Sequence, residues 1–318
     1  MLKTPTIFLT FNRPLETQRV FDMIRKAQPS KLFIVADGPR NDEEKKLTDS
    51  VRAIYEHIDW PCEVYRDYSE VNLGCRKRVA SGISWAMNQL ENDTDGAIIL
   101  EDDCLPDQSF FSYCEEMLER HKNTNEIMHI GGTNFQENNS KFTGSIGHDS
   151  YYFSHIAQIW GWATWKRAWK LYDSSMSSWG ELKGSQKLIS SFPNRLTYDY
   201  WANHFQRLYE NKTNTWDIAW TYTCYKEHGL CIMPKINLVE NIGNDIGATH
   251  KASAFSNIKT SPLIFPLSHP IKIEVNEIAD AYTYRTVFGI RNTPTNSLKA
   301  LIKSKLPFMF EYIKRLMK

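Results

Sequence analysis

The first third of the chain switches regularly between two hydrophobic periods, and that order leaves few folds open to it. Residues 6–11 read as a strand. Behind Asn12-Arg13-Pro14, the apolar Val20, Phe21, Ile24 and Ala27 fall at helical spacing until Pro29 ends the segment. Lys31–Ala36 is a second strand, closed by Asp37-Gly38-Pro39. An acidic, polar helix is expected over 41–57 and a third strand over 62–66. After Asn72-Leu73-Gly74 comes a helix whose Val79, Ile83, Ala86 and Leu90 recur at four, three and four residues, and then an uncharged strand over 97–100. This βαβαβαβ order predicts an α/β fold: a doubly wound, mostly parallel sheet flanked by helices on both faces.

The fourth strand stops abruptly at Glu101-Asp102-Asp103. Sheets of this kind bind ligands at the carboxyl ends of their strands. Three adjacent carboxylates repel one another unless a cation, a basic residue or water neutralises them, and Mg²⁺ or Mn²⁺ shared with phosphate oxygens is a common solution. The same residues also suit a solvated loop that caps a helix starting near Asp107. The other strand ends carry Asn12-Arg13, Asp37-Gly38 and Asp67, which places four chemically loaded termini on one edge.

Composition narrows the chemistry further. With 318 residues and a net charge of +1, the chain can build one sizeable domain or two smaller ones, and it gives no support for nucleic-acid binding. Its six cysteines contain no C-x-x-C pair and no zinc spacing, so they are expected to be free thiols in a reducing, cytoplasmic setting, with no secretory leader read ahead of the first strand. No stretch approaches the roughly 20 apolar residues of a membrane span. Phosphate loops of the Walker type, the G-x-G-x-x-G fingerprint and a G-x-S-x-G elbow are all missing. A nucleotidylyltransferase would carry a Gly-rich basic loop after its first strand, where this chain has Asn12-Arg13-Pro14. The remaining requirement is that of a metal-dependent glycosyltransferase using a sugar nucleotide.

The second half is less regular. A helix with Phe111, Cys114 and Leu118 on one face leads to a strand over 126–130 and a Gly-, Asn- and Ser-rich loop over 131–150. Then come Tyr151–Ser154, the Trp-rich 159–165, and helices expected over 166–172, 195–210 and 217–227. Trp160, Trp162 and Trp165 suit either a core or an acceptor platform, and His155 and His204 read as structural. The last 22 residues mix apolar side chains with six basic residues and one acid, which fits either an interfacial segment or a docked terminal helix.

Two blocks carry a family resemblance. Ile99-Leu100-Glu101-Asp102-Asp103, with Pro106-Asp107 and Phe110-Phe111, resembles the inverting GT-A glycosyltransferases typified by N-acetylglucosaminyltransferase I, in which an Asp-x-Asp-type motif at a strand end binds Mn²⁺ and the donor diphosphate. The second block is Trp216-Asp217-Ile218-Ala219-Trp220, then 229–234, Asn241-Ile242-Gly243 and His250. The chain is also similar to bacterial hemolysin-like sugar transferases through Trp160-Gly161-Trp162-Ala163-Thr164-Trp165. Coverage runs from about residue 5 to 250.

The resemblance implies a GT-A fold in which 1–130 binds the nucleotide sugar, 131–270 forms the acceptor and catalytic half, and 271–318 is an extension with a basic tail. It implies that Asp103 and His250 hold Mn²⁺ or Mg²⁺, that Arg13, Asp37, Arg76, Arg78, Glu101, Asp102 and Trp216 contact the donor, and that Asp217 is the catalytic base. The expected donor is a nucleotide diphosphate sugar, a UDP-sugar first, with an N-acetylhexosamine among the sugars considered. The expected acceptor is a glycan or lipid-linked hydroxyl in surface polysaccharide synthesis, with the tail touching the inner face of the cell membrane. The chain has one acid after Trp216 where the family has two. From residue type alone, Asp37 also suits a turn and Asp217 a helix N-cap. A non-catalytic carbohydrate-binding protein of the same fold and a sugar nucleotidylyltransferase are the competing functions.

Overall fold

The computed structural model describes residues 1–56, 58–90, 95–243 and 258–291. The first half alternates as its periodicity demands: β1 (Thr6–Thr10), α1 (Pro14–Ala27), β2 (Lys31–Ala36), α2 (Asp42–Ile54), β3 (Glu63–Tyr68), α3 (Gly74–Gln89) and β4 (Gly96–Glu101). There follow β5 (Cys104–Pro106), α4 (Gln108–Arg120), β6 (Ile127–Gly131), α5 (Phe142–Ile146), β7 (Tyr151–Ser154) and β8 (Trp162–Trp165). The remainder comprises α6 (Lys166–Trp169), α7 (Trp179–Leu182), α8 (Gln186–Ile189), α9 (Arg195–Tyr209), α10 (Asp217–Lys226), β9 (Leu230–Pro234), β10 (Val239–Asn241) and α11 (Glu277–Thr286).

Eight strands form one sheet in the order β3-β2-β1-β4-β8-β6-β9-β7. The four strands β3, β2, β1 and β4 are parallel neighbours, as are β6 and β9; β8 runs antiparallel to both β4 and β6, and β7 to β9. Successive strand residues point to opposite faces, and both faces are covered. Phe8, Leu32, Ile34, Ile98 and Leu100 pack with Val20, Phe21 and Ile24 of α1 and with Phe110 and Cys114 of α4. Ile7, Leu9, Phe33, Val35, Ala97 and Ile99 face the other way, onto Val79 and Ile83 of α3, Trp169 of α6 and Trp220 of α10. A Cβ at Gly82 would lie 2.3 Å from Val35 Cγ1, so glycine sets how closely α3 approaches β2. A third cluster, with Trp179, Leu188, Phe205 and Tyr222, joins α7, α8, α9 and α10.

This is the doubly wound, mostly parallel sheet flanked by helices that the GT-A resemblance implies. Its details refine the sequence reading. Asn41 is the N-cap of α2 rather than its first residue, accepting from Glu44 N, and that helix ends at Ile54. The 131–150 loop contains the single turn α5. The helix expected over 166–172 ends at Trp169, because Asp173 gathers the amides and hydroxyls of Ser175 and Ser177 into a turn of its own. His57, His250 and the basic tail lie outside the described residues. Among those described, no helix is long and apolar enough to cross a membrane, and all six cysteines are free.

Helix α11 lies beyond the expected boundary at 270, yet it is docked on the sheet. Asp280 accepts from Ser154 Oγ at 2.5 Å and from His155 N at 2.9 Å. Burial pushes its carboxyl up to about 7, against those two hydrogen bonds. The folded state therefore holds this proton more tightly than the unfolded chain. The stability it contributes is complete below about pH 4, and it is lost as pH rises through about 7. Urea melts at about pH 5 and pH 8 should show the wild type losing more stability than Asp280→Asn over that interval; equal losses would dismiss the assignment.

Candidate active site

Strand parity decides where the acids go. Ala97 and Ile99 face α3 and α10, and the half-buried Glu101 continues that row at the end of β4. Its carboxyl is pushed up by burial first, then by the charges of Asp103, Asp102 and Asp217. Asp217 opens α10, whose Trp220 packs in one cluster with Ala97 and Ile99, so its charge reaches Glu101 on that side of the sheet. Thr215 Oγ1 donates to Asp217 Oδ1. The N-cap position belongs to Trp216, and no side chain caps this helix. The carboxylate is therefore not the cap that its residue type allowed, and its Oδ2 has no hydrogen-bond partner among the described residues.

The other two acids turn toward β1. Asp102 is buried, and its Oδ2 accepts from Phe11 N at 3.0 Å. Burial and the neighbouring Asp103 push its carboxyl up, against the attraction of Arg13. Arg13, between β1 and α1, places Nη1 2.5 Å from Asp103 Oδ2 and 3.7 Å from Asp102 Oδ1. Burial opposes the charge on Arg13, but Asp102 and Asp103 outweigh it and hold the guanidinium above its ordinary range.

The chain leaving β10 closes over this pair. β10 runs antiparallel to β5, pairing Asn241 with Cys104, and Ile242 N donates to Asp103 O at 2.8 Å. A Cβ at Gly243 would lie 2.3 Å from Asp103 Oδ2 and 2.8 Å from Arg13 Nη1, so any larger residue would have to displace the Arg13–Asp103 pair. The Asn241-Ile242-Gly243 match thus belongs to the site, a contact that sequence spacing alone does not reveal.

One guanidinium faces three carboxylates, and the excess negative charge is of the kind a divalent cation offsets. Among the described residues, no group of three or more His, Cys, Asp or Glu converges as a ligand set. An ion of the Mg²⁺ or Mn²⁺ type held by one or two carboxylates together with substrate phosphates would not require such a set. The second expected ligand, His250, is not among the described residues.

Three residues expected at the donor are engaged within the protein instead. Both Asp37 oxygens accept bonds: Gly38 N and Leu73 N at 2.9 Å on Oδ1, and Gly74 N at 3.0 Å with Asn72 Nδ2 at 3.1 Å on Oδ2. The side chain, 5% exposed, ties the end of β2 to the start of α3. Arg78 is buried and reaches Asp67 at the end of β3, with Nη1 2.9 Å from Oδ2. Trp216 is 1% exposed and stacks on Trp162 at 5.4 Å, which leaves no open face for a sugar. Trp162 is stacked in turn on His129 at 5.2 Å. His129 is kept neutral by burial, its pKa lowered to about 4.

Arg76 makes no ion pair with the acids at the end of β4. It donates to Asn211 Oδ1 at 3.0 Å and to Ser174 O, across a cleft of about 790 Å³ between α3, the 172–175 turn and the segment after α9. Tyr172 lines this cleft and donates its hydroxyl to Trp216 O at 3.3 Å, one residue before Asp217. The sequence reading missed Tyr172, and it also missed Cys75, whose thiol is pushed up by burial and by the charges of Glu101 and Asp217. A tyrosine in an aromatic-rich stretch carries no signal that distinguishes it from core.

No family model matches the chain, and no curated protein matches it. Among solved structures it is similar to mouse xyloside xylosyltransferase 1 in its apo form, at 11% identity over 71% of this chain and 83% of that one, with a TM-score of 0.35. It is similar to the galactosyltransferase LgtC in complex with donor and acceptor sugar analogs, at 11% identity over 57% of this chain and 66% of that one, with a TM-score of 0.30. A UDP-glucose pyrophosphorylase complexed with UDP-glucose matches at 8% identity over 54% of this chain and 79% of that one, with a TM-score of 0.31. Two of these proteins are sugar transferases and the third is complexed with a nucleotide sugar. The fold of this chain is defined by its own strand order and register.

Proposed function

We propose that the protein is a metal-dependent inverting glycosyltransferase that moves a sugar from a nucleotide diphosphate donor to a hydroxyl of a glycan or lipid-linked acceptor. The observation that carries this reading is the arrangement at the end of β4, where Arg13 pairs with Asp102 and Asp103 beneath Gly243 and α10, which begins at Asp217, packs on the same side of the sheet as Ala97 and Ile99. A hydrolytic elbow or a phosphate loop would leave that arrangement without a purpose.

Inversion needs a base on one side of the anomeric carbon and a stabilised leaving group on the other. Asp217, with Oδ2 open and Oδ1 fixed by Thr215, takes the proton of the attacking hydroxyl. Asp103 would hold the cation, Mn²⁺ or Mg²⁺, which would supply positive charge to offset that developing on the departing diphosphate. Arg13 adds a fixed positive charge at the same edge and keeps Asp103 oriented. Asp102, bonded to Phe11 N, holds the β1 terminus against the acid loop, and Glu101 lies within reach of the charge of Asp217.

A thermal-shift screen of nucleotide sugars tests the assignment. A UDP-sugar is expected to raise the melting temperature only when Mn²⁺ is present, by an amount equivalent to about 2.7 kcal/mol at a hundredfold excess over Kd. The released product should be nucleoside diphosphate. Pyrophosphate formed from a nucleoside triphosphate and a sugar phosphate would establish a nucleotidylyltransferase instead, and glycan binding without donor turnover would establish a non-catalytic lectin-like role.

A further inference from the structure

The cleft beside α3 is lined by cationic, amide, hydroxyl and aromatic side chains, and Tyr172 at its edge bonds Trp216 O, one residue before Asp217. Tyr172, whose ring stacks on Trp169 at 4.3 Å, forms the end nearest Asp217 and feels the charges of both Asp217 and Arg76. From there the walls present Arg76, Lys77, Tyr209, Asn211 and Asn214, with Tyr209 44% exposed. Planar amides, hydroxyls and aromatic faces are the groups that recognise saccharide hydroxyls and ring faces, and about 790 Å³ lies within the usual range for a ligand site.

Two cations, Arg76 and Lys77, share this cleft with a single ionised acid, so its net charge is positive. Asp173 is its one acid, and it is bound up in its own turn. Ser175 N and Oγ donate to Oδ1 at 2.9 and 2.5 Å, and Ser177 N and Oγ donate to Oδ2 at 2.6 and 2.7 Å. Burial pushes the Asp173 carboxyl up, and those four bonds outweigh it and hold it near 2. Arg76 bonds only neutral oxygens, of Ser174 and Asn211, and the exposed Lys77 makes no ion pair among the described residues. Neither cation has a charged partner among the described residues, and Lys77 is exposed to a ligand.

We propose that this cleft seats the acceptor, and that the acceptor is an acidic glycan, a saccharide chain carrying carboxylate or phosphate oxygens that Arg76 and Lys77 engage. Arg76 is thereby assigned to acceptor selection rather than to the donor diphosphate. The word acceptor rests on the transferase reading; the binding of an acidic glycan in this cleft does not.

Saturation-transfer NMR titrations, run with and without UDP and Mn²⁺, test it on the full chain. The probes are a hexuronate-containing tetrasaccharide, its carboxyl-reduced neutral counterpart and a phosphorylated oligosaccharide. The wild type is expected to favour an acidic probe over the neutral one by about tenfold or more, the stronger acidic probe identifying the anion, and Lys77→Glu is expected to erase that preference. Tyr209→Ala, at an exposed position, should weaken acidic and neutral probes together. The melting shift produced by a UDP-sugar with Mn²⁺ should survive in Lys77→Glu. Equal affinity for acidic and neutral probes, no glycan binding under either condition, or a Lys77→Glu protein that loses the donor shift and keeps the glycan would each overturn the proposal. If no nucleotide sugar binds the wild type while acidic glycans bind in a Lys77-dependent way, the cleft assignment stands and the transferase reading falls.

Discussion

Asp217→Asn is expected to lower turnover by about 10²- to 10⁴-fold while leaving donor affinity close to that of the wild type. The amide has the shape of the carboxylate and can still accept the Thr215 hydroxyl on Oδ1, so the start of α10 keeps its geometry. No helix cap is lost, because Asp217 does not cap. What disappears is the ability to take a proton. The change also removes one of the negative charges that raise the Glu101 carboxyl, so Glu101 should ionise at lower pH in the variant. The decisive measurement separates kcat at saturating donor from donor affinity read by thermal shift. Near-full turnover in Asp217→Asn would end the assignment of the base and leave Glu101, its nearest acidic neighbour by charge, as the group to test.

How much of this was readable in advance depends on what each residue has to do. The parallel half of the sheet was legible because β1, β2 and β4 are short, continuous apolar runs that alternate with helices burying apolar residues at helical spacing, such as Val79 and Ile83 along α3. β8 lacks that setting. It is four residues within a Trp-rich stretch with no helical period ahead of it, and its antiparallel pairing of Ile98 with Ala163 joins distant segments. β5 and β10 are three residues each and pair only with one another, too short for any periodic signal.

The site divides in the same way. Residue types at strand ends could be named from the sequence, but their side-chain directions could not. Arg76 and Arg78 stand two positions apart on one helix, and they point to the Ser174–Asn211 cleft and to Asp67 respectively. A signal for the second was present: Arg78, Gly82 and Ala86 recur at four residues along the buried side of α3. The closure of Gly243 on Asp103 had no such signal, because it follows from the β5–β10 pairing rather than from any local pattern.

Trp216→Ala is expected to destabilise the fold by about 3–5 kcal/mol, and Trp216→Phe by much less. The indole is fully packed, stacked on Trp162 in a cluster that also includes Trp169 and Trp220, and Trp162 is stacked on His129 at its other contact. Alanine would open a cavity among large rings that are themselves close-packed, and rigid aromatic neighbours relax poorly into such a space. A phenyl ring keeps most of the contact area and one stacking partner. If Trp216 instead lay against the donor sugar, both variants would melt like the wild type and bind the nucleotide sugar more weakly. Chemical denaturation together with donor titration therefore tells packing from recognition. A Trp216→Ala protein with unchanged stability and lowered donor affinity would restore the donor contact that the sequence suggested. The expected pattern is the reverse, with Trp216→Phe retaining donor affinity because the residue acts through the packing that sets where α10 begins, and so where Asp217 stands.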